Sequence, residues 1–421
     1  MLKIIHVNFF DCDGGAARAA HRLHQGMRRI GLDSQMVVLR KLGDDPHVHG
    51  VSEGNKRIVT LLRQRAANMV LRGQHSPNTI RHSLNIFPSG LANWLNRSDA
   101  DIVNLHWLGH ETMSIAEMGA IKKPVVWTMH DMWPFSGAEH YDDLDAPGRW
   151  RSGYLATDRA LAHTGFDLDA WTFRRKQRAW KNQTFHLASP SHWLADCARQ
   201  SALFSRMPIR VIHNGIDLDV YKPVDRAIAR GILNLPSNRR LILFGALDSI
   251  SDARKGFQLL QPALVRLAAL GWKDQAELLI FGASTPKQPP DFELPAHYLG
   301  RFSDDIALNL LYAAADVFVS PSMQDNLSNT LVESLASGTP CVAFDIGGMR
   351  DLIEPGQTGF LARPFDTDEF ALGIDQVLRS DAAAMRHACR TQAIRRFGDL
   401  TAAGNYQDYY QQILGDCHDG Q

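Results

Sequence analysis

Cysteine is scarce. Five residues, Cys12, Cys197, Cys341, Cys389 and Cys417, are scattered through 421 positions without a C-x-x-C spacing. That density excludes a disulfide framework and a structural zinc module, and it reads as reduced thiols in a cytosolic protein. Charge of one sign is equally lacking. Lys and Arg total 45 against 45 Asp and Glu, so the whole-chain charge gives no argument for nucleic acid as a partner. No apolar run approaches the roughly 18–20 residues of a spanning helix, which leaves peripheral contact as the only expected membrane role. The apolar N-terminus is too short for a signal segment and is interrupted by Asn8 and Asp11; it reads as a buried first strand.

What is present is a repeated grammar. At 421 residues the chain exceeds one compact core, and two domains of roughly 200 residues each are expected. Ile4–Phe9 reads as a strand, Gly14-Gly15 as a turn, Ala16–Ile30 as a helix and Gln35–Arg40 as a second strand, one right-handed βαβ unit. Strands follow at Ile102–Leu105, Val125–Thr128 and Ile209–Ile212. The pattern restarts with strands at Arg240–Gly245, Glu277–Gly282 and Asp316–Ser320, and closes on an amphipathic helix over Thr401–Leu414. The expected division is 1–222, 223–400 and a terminal helix and tail over 401–421. The fold class is α/β, two Rossmann-like doubly wound parallel sheets facing across a cleft. No Gly-x-Gly-x-x-Gly follows the first strand of either half, which argues against a dinucleotide oxidoreductase.

Ligands in such sheets sit at the carboxyl ends of the strands. That singles out His106-Trp107 after one strand and His130-Asp131 with Trp133 after the next. His130 and Asp131 read as a catalytic pair or as a capped turn, and their place at a strand end favours function. Gly14-Gly15 reads as a backbone approach to a phosphate or sugar, or as a plain tight turn. The stretch from Phe135 to about Ala170 has little periodicity, and a loop that long reads as a lid or a mobile segment. Two basic helices, over 55–72 and 171–181, suit either an anionic membrane surface or a solvated face packed on the domain.

The densest segment is Ser320–Gly348. Asp325 and Glu333 stand eight residues apart, one in a loop and one in the first helical turns. Thr330-Leu-Val-Glu333 matches a capping box, so Glu333 reads either as a helix-start carboxylate or as a bidentate acceptor for two ribose hydroxyls. In the second reading the helix N-terminus faces a diphosphate, with Asn326, Leu327, Ser328 and Thr330 lining the donor. Lys255 supplies a point charge for a diphosphate leaving group, with Arg254 beside it; an exposed basic pair on a loop is the alternative.

These residues carry a resemblance over essentially the whole chain. The Gly14-Gly15 turn, Thr128-Met-His130-Asp131, Ser189-Pro-Ser191, Asn214-Gly-Ile-Asp217, Arg254-Lys255-Gly256 and the Asp325-to-Glu333 segment resemble the retaining glycosyltransferases of family 4, with the GT-B fold. Within that family the Trp127–Trp133 run and Asp325-Asn326 look like members that build cell-surface polysaccharides. The resemblance implies that Glu333 holds the nucleotide ribose, that Asp325 lies near the donor sugar and that Lys255 neutralises the departing diphosphate. It also implies that His130 contacts the transferred sugar and that Gly15 lies against the diphosphate or acceptor. His106, Trp107, Asp131 and Trp133 are the acceptor-side candidates. It further implies a terminal helix returning to the N-terminal domain, a nucleotide-sugar donor, a glycan or lipid-linked glycan acceptor, and no metal or other cofactor. The expected location is cytoplasmic, peripheral at the inner face of the plasma membrane.

Two residues depart from the family pattern. Ala246 stands where an Arg is common, and Asp325 is shorter than the usual Glu by about 1.5 Å of reach. A nucleotide-sugar epimerase and a non-catalytic nucleotide-sugar-binding protein are the alternatives.

Overall fold

The computed structural model describes residues 1–52, 54–142, 148–245, 252–302 and 304–419. Ala246 lies outside them. The chain forms two compact units, Met1–His213 with Ala402–Gln421, and Asn214–Thr401.

The first unit contains strands β1 (Lys3–Phe10), β2 (Asp33–Arg40), β3 (Val48–Gly50), β4 (Gln74–His75), β5 (Ile102–Leu105), β6 (Val125–Thr128), β7 (Thr164–Gly165), β8 (Phe185–Ser189) and β9 (Ile209–Val211). Seven of them make one parallel sheet in the order β3-β2-β1-β5-β6-β8-β9, while β4 and β7 pair antiparallel apart from it. Side chains alternate across the sheet. Ile5, Val7, Val103, Leu105 and Trp127 enter one core with Trp133, Trp180 and Phe185. Ile4, Ile102, Val126 and Ala188 enter another with Tyr406, Tyr409 and Tyr410 of the terminal helix Asp399–Asp419. Those tyrosines are more than apolar filler. Tyr410 Oη accepts from Asn104 Nδ2 at 2.7 Å, and Tyr406 Oη lies 2.9 Å from Thr128 Oγ1. Asn104 and Thr128, polar residues inside the sheet, are thereby paired without water.

The second unit contains β10 (Arg240–Gly245), β11 (Ala276–Phe281), β12 (Ala296–Tyr298), β13 (Val317–Ser320), β14 (Cys341–Phe344) and β15 (Gly359–Ala362), all parallel, in the order β12-β11-β10-β13-β14-β15. Near-continuous apolar strands such as Val317–Val319 are expected where helices cover both faces, and two separate cores flank this sheet.

The structure bears on three expectations. The units divide between His213 and Asn214, ahead of the expected boundary at Lys222, because Ile216 and Tyr221 are fully buried in the second unit's core. The stretch from Phe135 to Ala170 is packed in its first described part, where Phe135, Ala138, Trp150 and Tyr154 are buried, and exposed in its second, where Leu155, Leu161 and Phe166 face solvent. Its anchor is Lys176, a fully buried ammonium that donates to the carbonyls of Trp133, Ser136 and Gly137 and stacks 3.7 Å over the Trp133 ring. Third, the helix Asn55–Leu71 packs on the unit through polar side chains and turns apolar ones outward, which contradicts neither reading of this basic segment. Thr60 and Ala67 are buried, Arg63 donates to the carbonyls of Phe87 and Glu111, and Gln64 donates to that of His110. Ile58, Val59, Leu62 and Met69 point outward, each more than half exposed.

Candidate functional site

In the second unit, β13 runs straight into the loop carrying Asp325, and the helix Asn329–Ala336 follows. Two glycines fix that loop. Gly256 (φ 71°) lies where an added Cβ would stand 1.8 Å from Pro321 O, and Gly347 (φ 51°) where one would stand 1.9 Å from Asp325 O. Neither position admits a side chain. The clamped loop brings Lys255 Nζ to 2.8 Å from Asp325 Oδ2. A small pocket, open to solvent, is lined by Lys255, Ser320, Ser322, Ser328 and Thr330 together with β10 and β13. Ser328 and Thr330 hydroxyls lie 2.9 Å apart at the helix start.

The capping-box reading of Glu333 does not hold. The N-cap is Ser328, so Thr330 already lies inside the helix, and Glu333 sits deeper in it. Glu333 is instead buried, with Oε2 accepting from Tyr312 Oη at 2.9 Å. Tyr312 went unnoticed in the sequence because it belongs to another helix, Asp305–Ala314. Arg254 is engaged bidentately by Asp252, Nε to Oδ1 at 3.1 Å and Nη2 to Oδ2 at 2.6 Å. Leu327 is a core residue whose side chain packs among Leu331, Leu335 and their neighbours. Asn326 is buried beside it.

In the first unit, Gly14 (φ 91°) turns the chain from β1 into the helix Gly15–Arg29, whose first turn has no acidic residue. An added Cβ on Gly14 would meet nothing, so glycine is required there by backbone angle and not by space. The middle of β1 and the ends of β5 and β6 bring His6, His106 and His130 together, His6 Nδ1 to His106 Nε2 at 2.9 Å and His106 Nδ1 to His130 Nε2 at 3.0 Å. Burial pushes His130 down to about 4 against the opposing pull of Asp131, and His106 and His6 well below the ordinary histidine range. All three rings are neutral at pH 7.

The Asp131 carboxylate is not hydrogen-bonded into a catalytic pair with His130. It accepts from Trp107 Nε1 at 2.7 Å, His140 Nδ1 at 2.6 Å and Trp133 N at 3.0 Å, and His140 Nε2 in turn lies 2.8 Å from Ser83 Oγ. Burial raises Asp131, but His140 and these donors outweigh it and hold the carboxyl below its ordinary range. Trp133 is buried, its indole N–H on Ser83 O at 2.9 Å. Asp131 and Trp133 therefore support the site from behind. Trp107 and His130 are the half-buried members. Ser83 and His140 could not be singled out from the sequence, since they lie in stretches without regular structure.

Residues 13–220 match the family described as Glycosyltransferase Family 4, and residues 238–380 match Glycosyl transferases group 1. A D-inositol 3-phosphate glycosyltransferase of Mycolicibacterium smegmatis is 30% identical over 211 residues, 45% of this chain and 44% of that protein. The chain thus matches less than half the length of that relative. Among solved structures, a sucrose-phosphate synthase from Thermosynechococcus elongatus superposes with a TM-score of 0.67 at 18% identity, covering 98% of this chain and 100% of the other. HepE of Anabaena, solved in complex with UDP-glucose, gives 0.64 at 15% identity, covering 100% of both. With two parallel-sheet units and matches to both halves, the chain belongs to the family 4 and group 1 glycosyltransferases and has the GT-B fold.

Proposed function

We propose that this protein is a retaining glycosyltransferase that moves a sugar from a nucleoside diphosphate to a hydroxyl of a glycan or lipid-linked glycan in cell-surface polysaccharide synthesis. The observation that carries the proposal is the second-unit cavity. Lys255 and Asp325 meet at 2.8 Å, and Lys255 shares the cavity wall with the start of the Asn329–Ala336 helix. Unsatisfied N–H groups at a helix start and a lysine are suited to a diphosphate. Glu333, oriented by Tyr312, takes the ribose hydroxyls. The anomeric C–O bond to phosphate breaks and the acceptor oxygen bonds the anomeric carbon on the same face. The acceptor's proton passes to the leaving phosphate. Lys255 stabilises the negative charge left there, so the proposed reaction needs no metal. HepE's complex with UDP-glucose makes uridine diphosphate sugars the first donors to try.

A thermal-shift screen of nucleotide sugars identifies the donor, and transfer to a hydroxyl acceptor in the presence of a chelator follows. Glu333→Ala and Lys255→Ala lose most activity, and the product keeps the donor's anomeric configuration. Wild-type rates in both variants would overturn the assignment. Formation of an epimer without acceptor would mark an epimerase instead.

The outward apolar face of the Asn55–Leu71 helix, with Lys56, Arg57 and Arg65 also exposed, supports peripheral docking on an anionic lipid surface. Among the described residues no helix is long and apolar enough to cross a membrane.

A further inference from the structure

Four guanidiniums gather around one carboxylate in the second unit. Asp316 immediately precedes β13, and its side chain is 4% exposed. Its Oδ2 accepts from Arg230 Nη2 and from Leu241 N, both at 2.7 Å. Its Oδ1 accepts from Arg240 Nη1 at 3.0 Å and from Arg226. Arg386, from the helix Ala382–Arg396, makes no ion pair among the described residues and donates to the carbonyls of Ala313 and Ala315. Arg226, Arg240, Asp316 and Arg386 line a small pocket open to solvent, with Val377 and Met385 on its apolar side.

The charges do not balance. Guanidiniums stay protonated in proteins, so four positive charges stand against one negative. A structural tie between β10, β13 and the helix Arg226–Ile232 would need only Arg230. That residue is held all round, with Nε on Ala314 O at 2.9 Å and Nη1 on the carbonyls of Ser237 and Arg239, and it already compensates Asp316. Arg226 and Arg240 add charge without adding a counter-charge. Each makes one hydrogen bond, through Nη1 to Asp316, although a guanidinium has five N–H groups to give. Their side chains are 32% and 41% exposed, so the remaining donors are accessible. The crowding is felt behind them. Burial lowers Arg230 and Arg386 below the ordinary guanidinium range, and neighbouring guanidiniums push the same way against the pull of Asp316.

Two planar forks that share one acceptor oxygen and line one pocket suit a second, multiply charged oxyanion. The apolar side of the pocket lowers the local dielectric and strengthens that attraction. We propose that this pocket is an anion site that takes the phosphate group of a small solute, with Arg226 and Arg240 as its hydrogen-bond donors and Arg230 and Arg386 as fixed positive charges beside them. It is separate from the donor pocket. β10 and β13 begin at this one, at Arg240 and just after Asp316, and end at the other, at Gly245 and Ser320. The inference does not rest on the glycosyltransferase reading.

The test uses the full-length chain carrying Lys255→Ala, which weakens the other pocket for anions. It is melted with inorganic phosphate or a hexose phosphate, against chloride at equal ionic strength. Saturable stabilisation by phosphate beyond that of chloride is expected. Arg226→Gln and Arg240→Gln each raise the apparent Kd on the order of tenfold, and the double variant shows no saturable effect. All three keep Arg230 on Asp316, so the structural tie remains. Hydrogen exchange places the ligand: phosphate slows exchange in the helix Arg226–Ile232. An effect no greater than that of chloride overturns the proposal. So does an unchanged Kd in both folded single variants, or protection confined to the helix Asn329–Ala336. If the Gln variants do not fold, the exchange pattern of the chain with both arginines intact decides. Tighter binding of the hexose phosphate upholds the site with a phosphate monoester as its ligand, and equal or weaker binding upholds it with the free ion.

Discussion

Lys255 Nζ lies 2.8 Å from Asp325 Oδ2, with the two side chains 24% and 13% exposed. Before a donor arrives, the ammonium proposed to receive a diphosphate is balanced by the carboxylate proposed to lie at the reacting centre. Donor binding must therefore share or break this pair. A partly solvated pair of this kind is worth about 1 kcal/mol or less, an amount that a diphosphate readily offsets.

Asp325→Asn separates the two roles. Freed from its counter-ion, Lys255 should bind nucleoside diphosphate on the order of threefold tighter by titration calorimetry, while the transfer rate falls. Weaker nucleotide binding would show that Asp325 helps to hold the diphosphate and does not compete with it.

Gly347 and Gly356 make a matched comparison. Both have positive φ, 51° and 78°, but an added Cβ meets Asp325 O at 1.9 Å in the first and nothing within 4 Å in the second. Gly356→Ala should cost about 1 kcal/mol of backbone strain and keep activity. Gly347→Ala adds a clash that displaces Asp325, so thermal stability falls further and transfer is lost. Equal behaviour of the two would refute the clamp.

Tyr312→Phe removes one buried hydrogen bond to Glu333 while keeping the ring in its core. A stability loss of about 1–2 kcal/mol is expected. If Glu333 holds the ribose, a severalfold weaker nucleotide affinity should accompany it, and binding unchanged in a folded variant would argue against that role.

Acid should unfold the first unit early. His6, His24, His106, His110, His130 and His140 all lie in it, and in each burial comes first in lowering the pKa, to about 4 for His24, His110 and His130. A histidine lowered in the folded state binds its proton first in the unfolded chain. Stability is therefore lost as pH falls below about 6.5 and levels off below the folded value. A shift from the model-peptide value to about 4 corresponds to roughly 3 kcal/mol per ring at most. Trp272 alone of the nine tryptophans lies in the second unit, so tryptophan fluorescence follows the first. Its transition should begin between pH 6 and 5, on the order of one pH unit above any set by carboxylates.

Vesicles test the outward helix face. Leu62→Glu and Met69→Glu, at positions 57% and 68% exposed, should leave the folding stability within about 0.5 kcal/mol of wild type. They should also abolish co-sedimentation with phosphatidylserine-containing vesicles at low salt. Retained sedimentation would remove the docking surface.

Much of the fold was legible because it rests on local rules. Apolar runs such as Val317–Val319 and Val125–Trp127 can only be buried strands, and glycine turns with helical periodicity between them imply parallel sheets. The Lys255, Asp325 and Glu333 positions were also legible, since each is fixed within a short loop-to-helix segment. The boundary after His213 was not, because Ile216 and Tyr221 are assigned by the core they enter and not by their neighbours in the chain. Nor was the orientation of the Asn55–Leu71 helix. Its composition is basic and apolar in either orientation, and only Arg63 and Gln64 bonding inward to distant carbonyls turns the apolar face out.

The sequence by itself determined the α/β class, the two-unit plan and the list of residues from which a nucleotide-sugar site would be drawn. Periodicity, glycine placement and motif spacing are properties of neighbouring residues. Tertiary structure decided what each of those residues touches. It put Asp131 and Trp133 behind the site, tied Glu333 to Tyr312, paired Lys255 with Asp325 across seventy positions, and lined up His6, His106 and His130 from three strands. Hydrogen bonds and burial depend on distance in space, and no local pattern encodes which strands a parallel sheet sets side by side.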